Sequence, residues 1–557
     1  AVQAGILGGP GVEGGAGDFR DGLSDTDVPG VIGVGGVVDH GGDDVRQVNQ
    51  AVTVLYPSGI LPALDQPPVP VLLENGEGGP RLQHGQRSRK GVGLRLWRLG
   101  DGLLSRGVDD FAALVGAALL AAPALAAAEP QTQQEFAPWA YSAVADSYAM
   151  GLVDDGYGTY ITSPITQEQL ESMTAVVAGK LALLELPQRT GSEALVIDTT
   201  RGGVMNALYQ ECAAYELPGV EDGVEAFLSS LGVVQGSGAG LAQERPCTYQ
   251  EAMVMAQRLI LAVYDSQDAG SKGLLWKAVN GDNTLYLLGT IHMDRSNVYP
   301  MHRSLREALL SADTVAFELD FNDAEGIAEF AAMQTYSDGT TLADHIRPEL
   351  YQRVVAAFVG LGMPEEQTAL YKPWALANSL SALSMTDDTT SSNAMAIDLY
   401  CNSLATWADI PVQGVETYVL QGNIFDTLDS EYLEAYLEGT LLMYEAAMEG
   451  AEPDPEVTAA VEANEKALDA MFAAWKNRDM EAFSAAYNKQ AIVSSEDQLQ
   501  SRLFTDRDPG MIEAAAAFLE QEGSHTTFMA VGAGHMDDPG GIVSGLRALG
   551  YTVELVP

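Results

Sequence analysis

Two stretches far apart in the chain, TLYLLGTIHM at 284–293 and TTFMAVGAGHM at 526–536, run through apolar residues and stop on Gly-x-x-His. Continuous apolar runs of this length, closed by glycine, read as strands buried on both faces, and such strands need helices to cover them. Each run leaves a histidine, His292 or His535, just past the C-terminal end of its strand. One strand-tip histidine is ordinary. The same device twice, 243 residues apart, restricts the fold to one that brings two distant strands to a common edge.

The rest of 274–557 agrees with an α/β domain. LLWKAVNGDNTLYLLG reads as a hairpin turning at Asn280-Gly281-Asp282-Asn283, because Asn-Gly and Gly-Asp pairs supply the backbone that tight hairpins need. LREALLSAD reads as a helix and TVAFELDF (314–321) as a strand, followed by a helical insertion to about residue 405. PVQGVET returns to a short strand, residues 430–490 are helical, and the end is strand, helix GGIVSGLRALG and strand YTVELV. Strands alternating with helices predict a mixed sheet flanked by helices.

Upstream, the composition changes. Residues 1–110 hold 24 of the 58 glycines and none of the 18 methionines, and read as a doubtful or disordered leader. Residues 111–128 form an uncharged Ala/Leu run ending in small residues, the pattern of a secretory signal. A secretory signal implies a protein at the cell surface or outside the cell, with no stable membrane span in the mature chain; an Ala-rich buried helix or weak membrane anchor is the alternative reading of the segment. Residues 137–265 repeat internally: Gly151 aligns with Gly232, and Thr166 with Thr248. Thr166 with Gln169, and Thr248 with Glu251, fit a helix start with a capping box, and Thr200 begins a third helix. This region is expected to be a separate small all-helical module. PWAYSAVADSYAMGLV followed by ITQEQ resembles S-layer homology repeats, which implies binding to an anionic cell-wall polymer, with a purely structural helical module as the alternative. The basic residue of that family's helix start survives here only as Arg201.

With 29 Lys+Arg against 77 Asp+Glu, the net charge of −48 argues against sequence-independent binding of nucleic acid or anionic lipid. Cys212, Cys247 and Cys401 are too few for a disulfide scaffold and read as free thiols, with a Cys212–Cys247 bridge as the alternative.

In open α/β sheets ligands collect at the carboxyl ends of strands. His292, His535 and Glu318, from VAFEL, all fall at such ends. Two imidazoles and a carboxylate suit a divalent ion with open positions for water, and the glycines ahead of each histidine leave room for a ligand. GTIHMDRSNVYPMHRSLREALLSADTVAFELD, YKPWALA, IPVQGVETYVLQ, RDPGM and FMAVGAGHMDDPGGIVSGLRALGYTVELV together resemble the TraB/PrgY/GumN family, relatives of the Tiki proteases. The resemblance implies metal ligands at His292, His535 and Glu318, and catalytic or supporting roles for Glu318, Glu416 and Arg507. It also implies Mn, Co or Zn as the ion, and peptides as substrates. Glu416 is open between ligand, base and a group that orients a histidine, the last being favoured. The three metal residues should open into one cleft, with Glu416 behind them, in reach of a histidine or Arg507. His302 and His345 read as surface residues and His525 as a loop residue. Two functions stand: a metal-dependent peptide hydrolase, or a surface protein that sequesters a peptide without cutting it.

Overall fold

The computed structural model describes residues 136–557 apart from 154–155, 191–194, 237–239, 292–297, 386–394, 449–454 and 496, together with a strand pair upstream; for 382–385, 447 and 455–465 it describes backbone alone. The upstream pair, β1 (Val52–Tyr56) and β2 (Gly59–Ala63), is antiparallel. The signal-like segment 111–128 and most of the 1–110 leader lie outside the described residues.

The C-terminal domain is built on a six-stranded mixed sheet of order β6-β5-β7-β4-β3-β8. Its strands are β3 (Leu274–Asn280), β4 (Asn283–Thr290), β5 (Thr314–Phe317), β6 (Val412–Gly414), β7 (Thr526–Gly532) and β8 (Val553–Leu555). The β3–β4 hairpin pairs Asn280 with Asn283, and Gly281 takes the positive φ of +59° that opens a two-residue turn. Both Gly-x-x-His strands are central: β7 lies between β5 and β4, parallel to each. Leu285, Leu287 and Leu288 of β4 and Phe528, Met529 and Val531 of β7 have no exposure. Each such side chain contributes about 1.5–3 kcal/mol by leaving water.

β5 ends at Phe317, four residues before the alternation in TVAFELDF does. Asp320 and Asp323 stop it: Asp320 accepts from the Asn322 N–H at 2.8 Å, and Asp323 caps helix Ala324–Met333 through the Gly326 N–H at 3.0 Å. Short acceptor side chains offer the backbone a turn in place of the ladder. Glu318 therefore sits on the first residue after the strand.

Among the described residues of 138–266 the regular elements are helices. Thr166 and Gln169 close a reciprocal capping box, and Thr200 Oγ1 accepts from the Gly203 N–H at 3.1 Å. Glu251 accepts from the Thr248 N–H at 3.1 Å. These helices form a bundle of their own that shares one continuous apolar core with the sheet domain. Polar contacts cross the junction as well: Tyr400 OH donates to Asp146 at 2.8 Å, Arg306 to Asp265 at 2.6 Å, and Lys180 Nζ to the Tyr299 carbonyl at 2.9 Å. Arg201, the expected polymer contact, is largely used internally. Its Nε donates to the Leu241 carbonyl, its Nη1 to Glu251, and its side chain is only 13% exposed. Cys212, Cys247 and Cys401 are buried free thiols. Among the described residues, no helix is long and apolar enough to cross a membrane.

Candidate functional site at the strand ends

Strand register brings the sequence candidates to one edge. Thr290 of β4 pairs with Gly532 of β7, and Phe317 of β5 pairs with Ala530 of β7 and Gly414 of β6. Four parallel strands thus end nearly level, and Glu318, Glu416 and His535 follow them by one, two and three residues. His292 follows β4 by two residues and lies outside the described residues.

The motif glycines do something other than leave space. A Cβ at Gly289 would stand 2.9 Å from Ala533 Cα, so the first motif's glycine admits the backbone of the second. A Cβ at Gly534 would meet the Tyr487 hydroxyl at 2.5 Å. The two motifs pack on each other and on Tyr487. Trp475 Nε1 pins the end of β4 by donating to the Gly289 carbonyl at 2.6 Å.

Arg507 organises the carboxylates. Its side chain is 3% exposed; Nε lies 3.0 Å from both Glu416 oxygens, and Nη2 donates to Glu416 Oε2 at 2.7 Å and Glu318 Oε2 at 2.5 Å. Burial pulls the guanidinium pKa down, but the charges of Glu318 and Glu416 and their hydrogen bonds more than reverse this, so Arg507 stays charged. Gln421 Nε2 donates to Glu416 Oε2 at 2.9 Å, and it comes from helix Tyr418–Asp426, which Thr417 caps. Glu416 thus lies in reach of Arg507, and Arg507 holds the side of Glu318 that carries Oε2.

The other oxygen faces the histidine. Glu318 Oε1 accepts from the Gly532 N–H at 2.8 Å and lies 3.7 Å from His535 Nε2. His535 Nδ1 is 2.6 Å from Asp508 Oδ1, and Asp508 Oδ2 accepts from Lys489 Nζ at 2.7 Å. A carboxylate on Nδ1 fixes the proton there and turns the Nε2 lone pair outward. Nε2 and Oε1 face each other 3.7 Å apart, and with Nε2 unprotonated both would be acceptors for a cation placed between them. The separation also suits two donors on one first-row ion, whose bonds run about 2.0–2.2 Å. Imidazole nitrogen and carboxylate oxygen fit a divalent ion chemically. The described residues supply these two donors, but among them no three His, Cys, Asp or Glu side chains form a group able to hold an ion.

Sequence reasoning missed Lys489 and Gln421. Lys489 is completely buried; it donates to Asp508 and to the Asp537 carbonyl at 2.9 Å, with Nζ 4.7 Å from the Phe504 ring centre. His302, expected at the surface, is 6% exposed and caps helix Arg303–Leu310: Nδ1 accepts from the Ser304 N–H at 3.1 Å while Nε2 meets Asp268. Burial of its ring against that cap is why a histidine in charged sequence surroundings is not solvated. His345 stacks on Tyr336 with ring centres 4.3 Å apart.

The chain is similar to "Metalloprotease TIKI1" of Danio rerio, 25% identical over 311 residues, covering 51% of this chain and 63% of that protein. It is likewise 25% identical over 301 residues to "Metalloprotease TIKI2" of Xenopus tropicalis, covering 49% and 58%. The chain thus spans about three-fifths of the length of these curated relatives. No solved structure matches it. The model of the TraB/PrgY/gumN family matches residues 274–555, the whole sheet domain from β3 to the end of β8. The chain belongs to the TraB/PrgY/gumN family.

Proposed function

We propose that residues 274–555 form a metal-dependent hydrolase that cuts peptides outside the cell or at its surface. The observation that carries this reading is the approach of His535 Nε2 and Glu318 Oε1 to 3.7 Å at the strand ends. The relatives' name, metalloprotease, supports the same chemistry. His292, His535 and Glu318 would hold a divalent ion of the Mn, Co or Zn type. When bound, such an ion polarises the scissile carbonyl and makes water a nucleophile near neutral pH.

The chain's own groups prepare that site. Asp508 holds the His535 ring with Nε2 outward, and Lys489 holds Asp508 in place. Arg507 and the Gly532 N–H hold the Glu318 carboxylate in one orientation. Glu416, bonded to Arg507 and Gln421, balances the guanidinium rather than facing His535. Fixing these groups before substrate arrives removes reorganisation from the reaction.

Export through residues 111–128 and display on a wall polymer through residues 137–265 are companion proposals; Arg201, paired with Glu251, offers little free charge for the second. The deciding experiment uses protein purified without chelator. Metal content by mass spectrometry and cleavage of a mixed peptide library are compared for the wild type, His292→Ala and His535→Ala. Metal uptake and cleavage that vanish together in both variants support the hydrolase. Peptide binding with neither metal nor cleavage would replace it with sequestration.

A further inference from the structure

A polar cleft lies where the helical bundle meets the sheet domain. Helices Tyr141–Ala149, Tyr249–Ser266, Arg303–Leu310 and Ile397–Trp407, with the loop carrying Leu231 and Gln235, line an open cleft of about 500 Å3. Leu310 and Ala408, on its rim, precede β5 and β6. The cleft therefore opens near the edge where these strands begin, away from the site at their C-terminal ends.

Its charges are unevenly committed. Asp265 holds Arg306, and Asp146 accepts from Gln257 Nε2 at 3.0 Å and Tyr400 OH at 2.8 Å. Arg258 also lines the cleft, half-buried, and has no hydrogen-bond or ion-pair partner among the described residues. That is unexpected in a chain with 77 acidic against 29 basic residues. Arg201, Arg245, Arg306, Arg347, Arg353 and Arg507 all hold carboxylates. Apart from Ser142 and Gln235 the remaining wall is aliphatic, with Leu261 and Leu404 buried and Leu310 exposed at the mouth. An unpaired guanidinium beside an aliphatic wall is the recognition set for a carboxylate attached to a hydrocarbon.

We propose that this cleft binds a small aliphatic carboxylate on the scale of one acylated amino acid, with Arg258 as its anion partner. The acids already present do not compete for Arg258, because each is satisfied within the junction. A ligand here would bridge the bundle and the sheet domain, since Arg258 and Leu261 come from one and Leu310 and Leu404 from the other. The proposal does not depend on the hydrolase reading.

Titration calorimetry of the full chain with N-acetyl-L-leucine and with its neutral amide tests it. The two probes differ in charge and little in shape. The carboxylate should bind at one site, about tenfold or more tighter than the amide, as expected for a charge-assisted contact. Arg258→Gln should remove that preference. Leu310→Glu, at an exposed rim position that places no demand on the core, should weaken the carboxylate by repulsion. No saturable heat, equal binding of acid and amide, or acid binding unchanged in Arg258→Gln would each overturn the proposal.

Discussion

Replacing Arg507 with Met tests whether the site is held by charge. The substitution keeps most of the apolar stem but leaves Glu318 and Glu416 without their cation. The side chains of Glu318, Glu416 and Arg507 are only 13%, 5% and 3% exposed, so water replaces little of what is lost. Breaking a buried ion cluster by removing one partner costs about 3–5 kcal/mol. Urea unfolding followed by circular dichroism should show that loss as a lower midpoint with an unchanged slope. Glu416→Gln alone leaves Arg507 half-paired and should cost less. The double variant removes one of the two stranded charges, so it should be more stable than the sum of the single losses predicts. The coupling should be on the order of 1–3 kcal/mol. If Arg507→Met costs under about 1 kcal/mol, or if the two losses simply add, the cluster is not held in this way.

His535→Ala should abolish uptake of Mn²⁺ or Co²⁺ while the circular dichroism spectrum stays that of the wild type, and retained uptake would remove His535 from the metal set. Burial pushes the Cys212 and Cys247 thiols up to about 12, so alkylation at pH 8 should label none of the three thiols in the native chain and all three in denaturant. Fast native labelling, or fewer than three labelled in denaturant without reductant, would contradict the free buried state. Burial also raises the Asp146 carboxyl above its ordinary value. Its contribution to stability is therefore fully present below the unfolded value, about 3.9, and is lost as pH rises through the folded value. Asp146→Asn should flatten the dependence of Tm on pH above 4, and an unaltered profile would refute the assignment. If residues 137–265 bind wall polymer through exposed charge, the chain should pellet with purified walls at low salt and be released at high salt. A chain that stays in the supernatant at low salt would leave the bundle a purely structural role.

What the sequence disclosed followed from how local each signal is. Strand-tip placement of Glu318 and His535 came from short runs whose periodicity is set by neighbouring residues, and so did the caps at Thr166 and Thr200, whereas Glu416 was a candidate only through the family resemblance. The order of the sheet did not, because the pairing of β7 between β5 and β4 depends on contacts across more than 200 residues. Lys489 was invisible for another reason. It follows Asn488, whose φ of 56° breaks the helix, and begins the short helix Lys489–Val493, where a lysine resembles any solvated lysine. Only the burial of Asp508 and the Asp537 carbonyl above it reveals what it balances. Gln421 was equally silent, since an amide on an amphipathic helix carries no motif. His302 was misjudged because its cap partner, Ser304, is local but the Asp268 that flanks it is not.

The central place of β7 also bears on the order in which the molecule can come into being. Synthesis runs from the N-terminus, and β7 begins 236 residues after β4 ends. At ordinary elongation rates of 5–20 residues per second, roughly 12–50 s separate the emergence of the two strands. Throughout that interval the strands on either side of the gap have unpaired inner edges, which favour association with chaperones or with other nascent chains. Neither His535 nor the Gly532 N–H that holds Glu318 yet exists. Whatever chemistry the strand ends perform is therefore withheld from every incomplete chain, so latency during biosynthesis follows from topology without an inhibitory segment.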